Sequence, residues 1–320
     1  MHSDSSNNKM FTFVTHDGVF HGDEVCAFTM LNILYPKNTL IRSRKQEDFD
    51  KADYIFDVGK VYDPKNNKFD HHQEGCNETF TDNHSILLSS AGMVYKKYGK
   101  QMIETIINKD IPEDVLDVIH NKFYNTFVVE IDAIDNGISA CDKPKYYHAT
   151  SFSSTISKLN GNEIYNYDSQ MVRFLRGSSL CLNLMTIHIE SLYEKEASFK
   201  QDYETICEAF GQRFNYSETG EFIYIPVDCP NYIQCIDKYE STYSYTNDNN
   251  KIKFVIYKNN GNYRVKTVSH NFISRKLLLS HDELNKLIKN KDDLVFVHKA
   301  CFIAETKNLE TAIELCKFSL

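Results

Sequence analysis

Short apolar runs broken by polar, chemically loaded clusters mark the first half of the chain. MFTFV (10–14), TLIRSR (39–44) and ADYIFDVG (52–59) each read as a strand. After Asp23 and Glu24, which suit the first turn of a helix, VCAFTMLNIL has helical periodicity. VYD and KFD flank Pro64-Lys65-Asn66-Asn67, a turn-rich connection that predicts a hairpin. Ser89-Ser90-Ala91-Gly92 opens a helix through MVYKKYG, and its small residues would let an anion approach free backbone N–H groups. Residues 112–136 read as one long helix, with Pro112 in its first turn and Gly137 as its C-cap. HATSFSSTISKLNGN (148–162) contains a short helix, and a mostly helical stretch follows over about 168–215.

The pattern then changes. EFIYIPV (221–227) and LVFVH (294–298) read as strands, and KIKFVIYK and NYRVKTVS flank Asn259-Asn260-Gly261 as a hairpin. Ser280 with Glu283 makes a capping box, and LETAIELCKF is a closing helix. The expected architecture is an α/β N-terminal domain with a mostly parallel sheet (10–165), a helical connector (166–215) and a smaller α+β C-terminal domain (216–320), with substrate in a cleft between the domains.

A chain of 320 residues, 42% hydrophobic and 25% charged, can bury cores of that size. Net charge is −8, which argues against coating nucleic acid through a broad basic face but not against meeting phosphates through bound cations. The nine cysteines include no C-x-x-C pair, so neither a disulfide framework nor a structural zinc site is expected. No run is long and apolar enough to span a membrane, and MHSDSSNNK has no apolar leader pattern, so a cytoplasmic location is the expectation, with nuclear entry the alternative. The oligomeric state stays open between monomer and homodimer.

Chemistry concentrates at the strand ends. FVTHDGVFHGDE carries His16, Asp17, His21, Asp23 and Glu24; YIFDVG ends on Asp57; the hairpin runs into Asp70-His71-His72; and EIDAIDNG supplies Asp132 and Asp135, three apart on one helix face. Any one of these reads as an ordinary polar loop. Together, loops that follow strands and carry His and Asp point to a metal site. The carboxylate share favours Mn²⁺ over Zn²⁺, and the number of candidates suits two ions that activate a water against a phosphoester. Arg173, Arg176, Arg264, Arg275 and Lys276 are candidate phosphate contacts.

THDGVFHGDE, FDVG, FDHHQ, LSSAGMVYKKYG and EIDAIDNGIS closely resemble the melanocyte proliferating gene 1 family of DHH phosphoesterases. The likeness extends through FVIYKNNGNYRVKTVS, Phe272…Arg275-Lys276 and LVFVHKACFI to the final helix. The resemblance implies a manganese-dependent 3′–5′ exonuclease acting on RNA or oligonucleotides. It implies metal ligands at His16, His21, Asp23, Asp57, His71 and Asp135, with Asp132 a second candidate and Asp57 bridging two ions. In the catalytic motif Asp70-His71-His72, it puts His71 on metal and His72 on phosphate. Ser89, Ser90, Gly92, Arg173, Arg275, Lys276 and His298 are the substrate-binding candidates, Arg275 favoured because its surroundings match. Where the family has Val-His-Ala-x-Gly-Phe-Ile-Gly-Gly, this chain has Val297-His298-Lys299-Ala300-Cys301-Phe302-Ile303-Ala304-Glu305. The loss of glycine is expected to hinder backbone approach to phosphate, Glu305 to repel it, and short substrates to be preferred. Two other readings remain: a phosphoesterase acting on a small nucleotide or pyrophosphate, and a non-catalytic RNA-binding relative.

Overall fold

The computed structural model describes residues 9–146, 149–162, 166–243, 251–270, 273–274 and 277–320. The chain forms two compact units, 1–196 and 197–320.

The first unit is built on a five-stranded sheet, β1 (Phe11–Thr15), β2 (Asn38–Arg42), β3 (Tyr54–Phe56), β4 (Tyr62–Asp63) and β5 (Lys68–Phe69), in the order β2-β1-β3-β5-β4. β2, β1, β3 and β5 run parallel, and only β4 is antiparallel, closing the expected hairpin against β5. Side chains alternate along the strands and both faces are covered, as parallel sheets require. Phe13, Tyr54 and Phe56 enter the main core, while Val14 and Ile55 form a small cluster with Val58 on the other face. The main core is closed by α1 (Gly22–Leu34), α3 (Ser90–Ile107), α4 (Glu113–Phe123) and α5 (Val129–Asp135), and α2 (Gln46–Phe49) contributes Phe49 to the smaller cluster.

β1 leads through α1 to β2 on one side, whereas β3 lies on the other side of β1. The chain thus reverses direction across the sheet between β1 and β3, and their carboxyl ends open a crevice there.

Residues 112–136 are not one α-helix. Pro112 precedes α4 as its N-cap, and Tyr124–Val128 form a π-helical turn between α4 and α5. Such single turns widen a helix locally and re-aim the residues after it. Gly137 takes φ +71° directly after the helix, as its expected role requires.

The short helix α6 (Phe152–Leu159) is anchored to the loop after β1. Asn160 accepts from Phe20 N (2.9 Å) and donates to Phe20 O (2.7 Å), both in buried positions. At the other end, a Cβ on Gly22 would come 2.8 Å from Ser153 Oγ, so that glycine permits the close approach. The long helix α7 (Tyr167–Gln212) begins in the first unit, where Phe174, Cys181, Met185 and Ile189 join the core, and ends in the second, where Ile206, Ala209 and Phe210 do.

The second unit is a mixed sheet of β6 (Phe222–Ile225), β7 (Phe254–Asn259), β8 (Asn262–Thr267), β11 (Leu294–Val297) and β12 (Ile303–Thr306), in the order β11-β12-β8-β7-β6. A two-stranded ribbon, β9 (Ser269–His270) with β10 (Ile273–Ser274), sits between β8 and α9 in sequence. Alternate residues of the sheet serve two cores. Phe222, Phe254 and Ile256 pack with α10 (Leu309–Ser319) and α9 (His281–Leu287), and Ile223 and Val255 pack with α8 (Tyr232–Thr242) and the end of α7. The β7–β8 turn has Asn260 at φ +48° and Gly261 at φ +86°, the left-handed pair of a tight hairpin. All nine cysteines are free thiols, and among the described residues no helix is long and apolar enough to cross a membrane.

Asn160→Ala leaves the buried amide and carbonyl of Phe20 without their partner. We expect a loss of about 2–4 kcal/mol in urea unfolding monitored by far-UV circular dichroism, with the second unit's sheet unaffected.

Candidate metal centre

Three adjacent parallel strands end at one place, and each delivers ligands there. His16 follows β1, Asp57 follows β3, and Asp70, His71 and His72 follow β5. His21, Asp23 and Glu24 come from the start of α1, and Asp135 from the end of α5. Ligand atoms converge in three overlapping groups: His16, His21, Glu24 and Asp57; Asp57, His71 and His72; and Asp23, His71 and Asp135. Asp57 belongs to two of them.

The distances are short. His16 Nε2 lies 3.0 Å from Glu24 Oε1 and 3.1 Å from Asp57 Oδ2. His71 Nε2 lies 3.4 Å from Asp57 Oδ1 and 3.1 Å from Asp135 Oδ2. The other ring nitrogen of His16, Nδ1, is 3.0 Å from the Asp17 carbonyl. A carbonyl only accepts, so Nδ1 carries a hydrogen and Nε2 is the nitrogen turned toward the carboxylates, the arrangement that orients a metal-ligating imidazole. His72 differs. Its Nδ1 contacts Asp70 Oδ1 at 2.8 Å, and Asp70 also accepts from Lys60 N (2.6 Å) and His72 N (3.1 Å). With Nδ1–H donated to Asp70, only Nε2 of His72 remains for other work, and this side chain is 55% exposed where His71 is 12%.

The backbone is bent to make this possible. Asp57 (φ +55°), Gly59 (φ +96°) and Lys60 (φ +55°) all lie in the left-handed region. For a non-glycine residue that costs on the order of 1–2 kcal/mol, a cost met at functional sites where the surroundings over-determine the conformation. Ser90 Oγ donates to Asp57 Oδ1 at 3.3 Å and helps hold it.

The electrostatics call for a cation. Asp23 is fully buried, and neither of its oxygens accepts a hydrogen bond. Burial, with Asp57, Glu24 and Asp135 close by, pushes its pKa well above the usual carboxylate range. Asp135 is raised as well, first by burial. Burial works against charge on His16, but Asp57 and Glu24 outweigh it and lift that imidazole to about 10. Asp57 is lowered despite burial, by its contacts with His16 and His71. A proton on His16 thus offsets some of the negative charge. Orphaned carboxylate oxygens beside correctly oriented imidazoles are a donor set that fits divalent metal.

Asp132 lies outside this cluster. It is fully buried, and its Oδ1 accepts from Ser89 N (3.0 Å), Ser89 Oγ (2.7 Å) and Gly92 N (3.1 Å), while Oδ2 accepts from Tyr124 OH (3.0 Å). Burial raises it to about 6 although all four donors oppose that. The anion at the start of α3 is therefore the protein's own carboxylate. The backbone amides of Ser89 and Gly92 are spent on it, and any side chain at Gly92 would collide with it. Arg173 is also engaged: Nη1 donates to Leu159 O (3.2 Å) at the end of α6 and Nε to Ser169 Oγ (3.2 Å). Asp17 pairs with Arg44 at 3.2 Å on the surface.

His298 lies in the β11–β12 turn of the second unit, where its Nδ1 accepts from Ala300 N (3.1 Å). Cys301 takes φ +56° in that turn, so the conformation glycine would favour is kept without it. Glu305 does not present a bare charge. It accepts from Arg264 Nε (3.0 Å) and Asn262 Nδ2 (2.6 Å), which also engages Arg264. Arg275 and Lys276 lie outside the described residues. Glu24 is not among the ligands expected from sequence. Its signal is present in the spacing of His21 and Glu24, and the Glu24 carboxylate accepts from His21 N at 2.9 Å as an N-terminal cap while facing His16.

A mixed histidine–carboxylate cluster able to hold metal, at the switch point of a parallel sheet, defines the class. The chain belongs to the MYG1 exonuclease family, whose model, described as "Uncharacterised protein family (UPF0160)", matches residues 12–320. Relatives include the MYG1 protein YER156C of Saccharomyces cerevisiae (31% identical, covering 98% of this chain and 97% of that one) and the MYG1 exonuclease of Rattus norvegicus (31%, covering 96% and 84%). A crystal structure of RecJ in complex with Mn²⁺ from Thermus thermophilus is 12% identical with a TM-score of 0.27. That match covers 98% of this chain and 53% of that one, so the chain spans about half its length, and the overlap is too slight to transfer any position.

Asp132→Asn keeps the same acceptor for Ser89 and Gly92 and should retain both fold and metal-induced thermal stabilisation, whereas Asp132→Ala should cost about 2–4 kcal/mol in chemical unfolding. Metal uptake must displace the proton favoured on His16, whose imidazole is lifted to about 10. Mn²⁺ affinity measured calorimetrically should therefore rise between pH 6 and 9, by up to roughly tenfold per pH unit for each proton released, and the measured heat should vary with the ionisation enthalpy of the buffer.

Proposed function

We propose that this protein is a metal-dependent phosphodiesterase, a 3′–5′ exonuclease acting on RNA or short oligonucleotides with two Mn²⁺ ions. The observation that carries the reading is Asp57, a strained strand-end carboxylate shared by two ligand groups. A shared carboxylate of this kind suits two adjacent ions. His16, His21, Asp23, Glu24, Asp57, His71 and Asp135 would hold them. When bound, such ions supply Lewis acidity and lower the pKa of coordinated water.

The chain's own residues do the rest. Asp70 fixes His72 through Nδ1. His72 turns Nε2 to a phosphoryl oxygen, where negative charge grows in the transition state. Water oxygen bonds to phosphorus, the ester bond to the departing sugar oxygen breaks, and that oxygen takes up the proton the attacking water gives up. Buried Asp23 and Asp57 keep their positions because strand and helix backbone hold them, so little reorganisation accompanies the reaction. The cavity over the cluster measures about 1320 Å³. That exceeds the ~300–1,000 Å³ common for a single small ligand and favours a chain of nucleotides over a lone nucleotide. Relatives named as exonucleases agree with this choice.

The test is a product ladder. With Mn²⁺, 5′-end-labelled RNA should shorten one nucleotide at a time while 3′-end-labelled RNA releases its label at once, and EDTA should stop both. Asp57→Asn tolerates the same backbone and should fold, yet lose more than about 100-fold in rate (about 2.7 kcal/mol). Internal cuts from the outset, or a wild-type rate indifferent to EDTA, would refute the reading.

A further inference from the structure

We infer that the face of α6 bearing Ser153, Ser157 and Lys158 is a second substrate surface of the metal cavity, one that grips the sugar–phosphate backbone of the nucleotide next to the cleaved one. The inference rests on the phosphodiesterase reading above and extends it to the substrate class: single-stranded chains held by their backbone.

These residues line the same cavity as the ligand cluster. The helix is no loose flap. Its start packs on Gly22, between His21 and Asp23, and its end is tied to Phe20 by Asn160. A contact made on α6 is therefore held in register with the metal loop. The chemistry suits an anionic, hydroxyl-rich chain. Lys158 Nζ donates to Ala149 O, which steadies it, but has no carboxylate partner among the described residues, whereas Arg44 is paired with Asp17. The hydroxyls of Ser153 and Ser157 have no hydrogen-bond partner among the described residues, while that of Ser154 is used by Ser151. Among the described residues no Phe or Tyr lines the cavity, and the α6 face offers hydroxyls and an amine to the backbone rather than a ring to a base. Val19 and Ile134, both 42% exposed, give only apolar contact.

The experiment measures kcat and KM on a single-stranded hexanucleotide with excess Mn²⁺ over a series of salt concentrations, alongside cleavage of bis(p-nitrophenyl) phosphate. Lys158→Ala should raise KM about tenfold, more than it lowers kcat. It should also flatten the dependence of log kcat/KM on log salt by about 0.7, the share of one single-strand phosphate. Lys158→Arg should restore the slope, Ser157→Asp should also raise KM, and Lys51→Ala, which removes the same charge outside the cavity, should change neither. An unchanged KM and slope in Lys158→Ala, or a fall in kcat alone, overturns the α6 surface while leaving the nuclease reading intact. Wild-type cleavage of the nitrophenyl ester without any cleavage of the hexanucleotide overturns both.

Discussion

Repulsion among Asp23, Glu24, Asp57 and Asp135 is the constraint around which the first unit is arranged. Bringing several carboxylates together in a buried place is expensive unless cations or protons offset them. The fold accepts that cost because each acid is held by backbone that has other reasons to be where it is. Asp57 sits at the end of a central strand, in a left-handed conformation enforced by the turn to Lys60. Glu24 caps α1 through His21 N. Asp135 ends α5. None of these placements depends on attraction between the ligands. In the metal-free protein the imidazoles of His16 and His71 are raised despite burial, because protons there are the nearest substitute for cationic charge.

The strand ends were legible from sequence because a buried parallel strand is a short apolar run, and chemistry placed after such a run has one destination in an open α/β sheet. The loops after β1, β3 and β5 could be read that way, as could the Pro64–Asn67 hairpin and the Asn260-Gly261 turn. What could not be read was how Asp132 and Asp135 divide. Three residues apart, they share a helix face, and periodicity gives no means of telling them apart. The structure separates them by partners. Tyr124, Ser89 and Gly92 surround Asp132 with four donors, whereas Asp135 meets His71. The π-helical turn at 124–128, which an amphipathic pattern does not announce, lies between Tyr124 and Asp132 and adjusts the span across which they meet.

The second unit shows the opposite limit, where substitution suggested a defect that the fold absorbs. Glycine missing at Cys301 implied hindered backbone approach to phosphate, and the turn itself keeps its shape, because Cys301 adopts the left-handed conformation. Glu305 implied repulsion of phosphate, yet it sits opposite Arg264 in the β8–β12 ladder and pairs with it. Cross-strand register, invisible in a linear reading, turns a charge that looked free into half of a pair. Glu305 is therefore no argument for a preference for short substrates.

Charge also sets the order of events at the cavity. Its walls carry five aspartates against Arg44, Lys60 and Lys158, and the raised imidazoles of His16 and His71 offset part of the remaining negative charge. Divalent cations held by the cluster would tip this balance to positive, because bound cations are the largest local charges in such a site. Lys60 and Lys158 then act with the ions instead of against a negative field. A nucleic acid strand that enters after metal meets attraction from both sides. A protein of net charge −8 needs no extended basic face to hold a phosphate chain if it concentrates positive charge only where cleavage occurs.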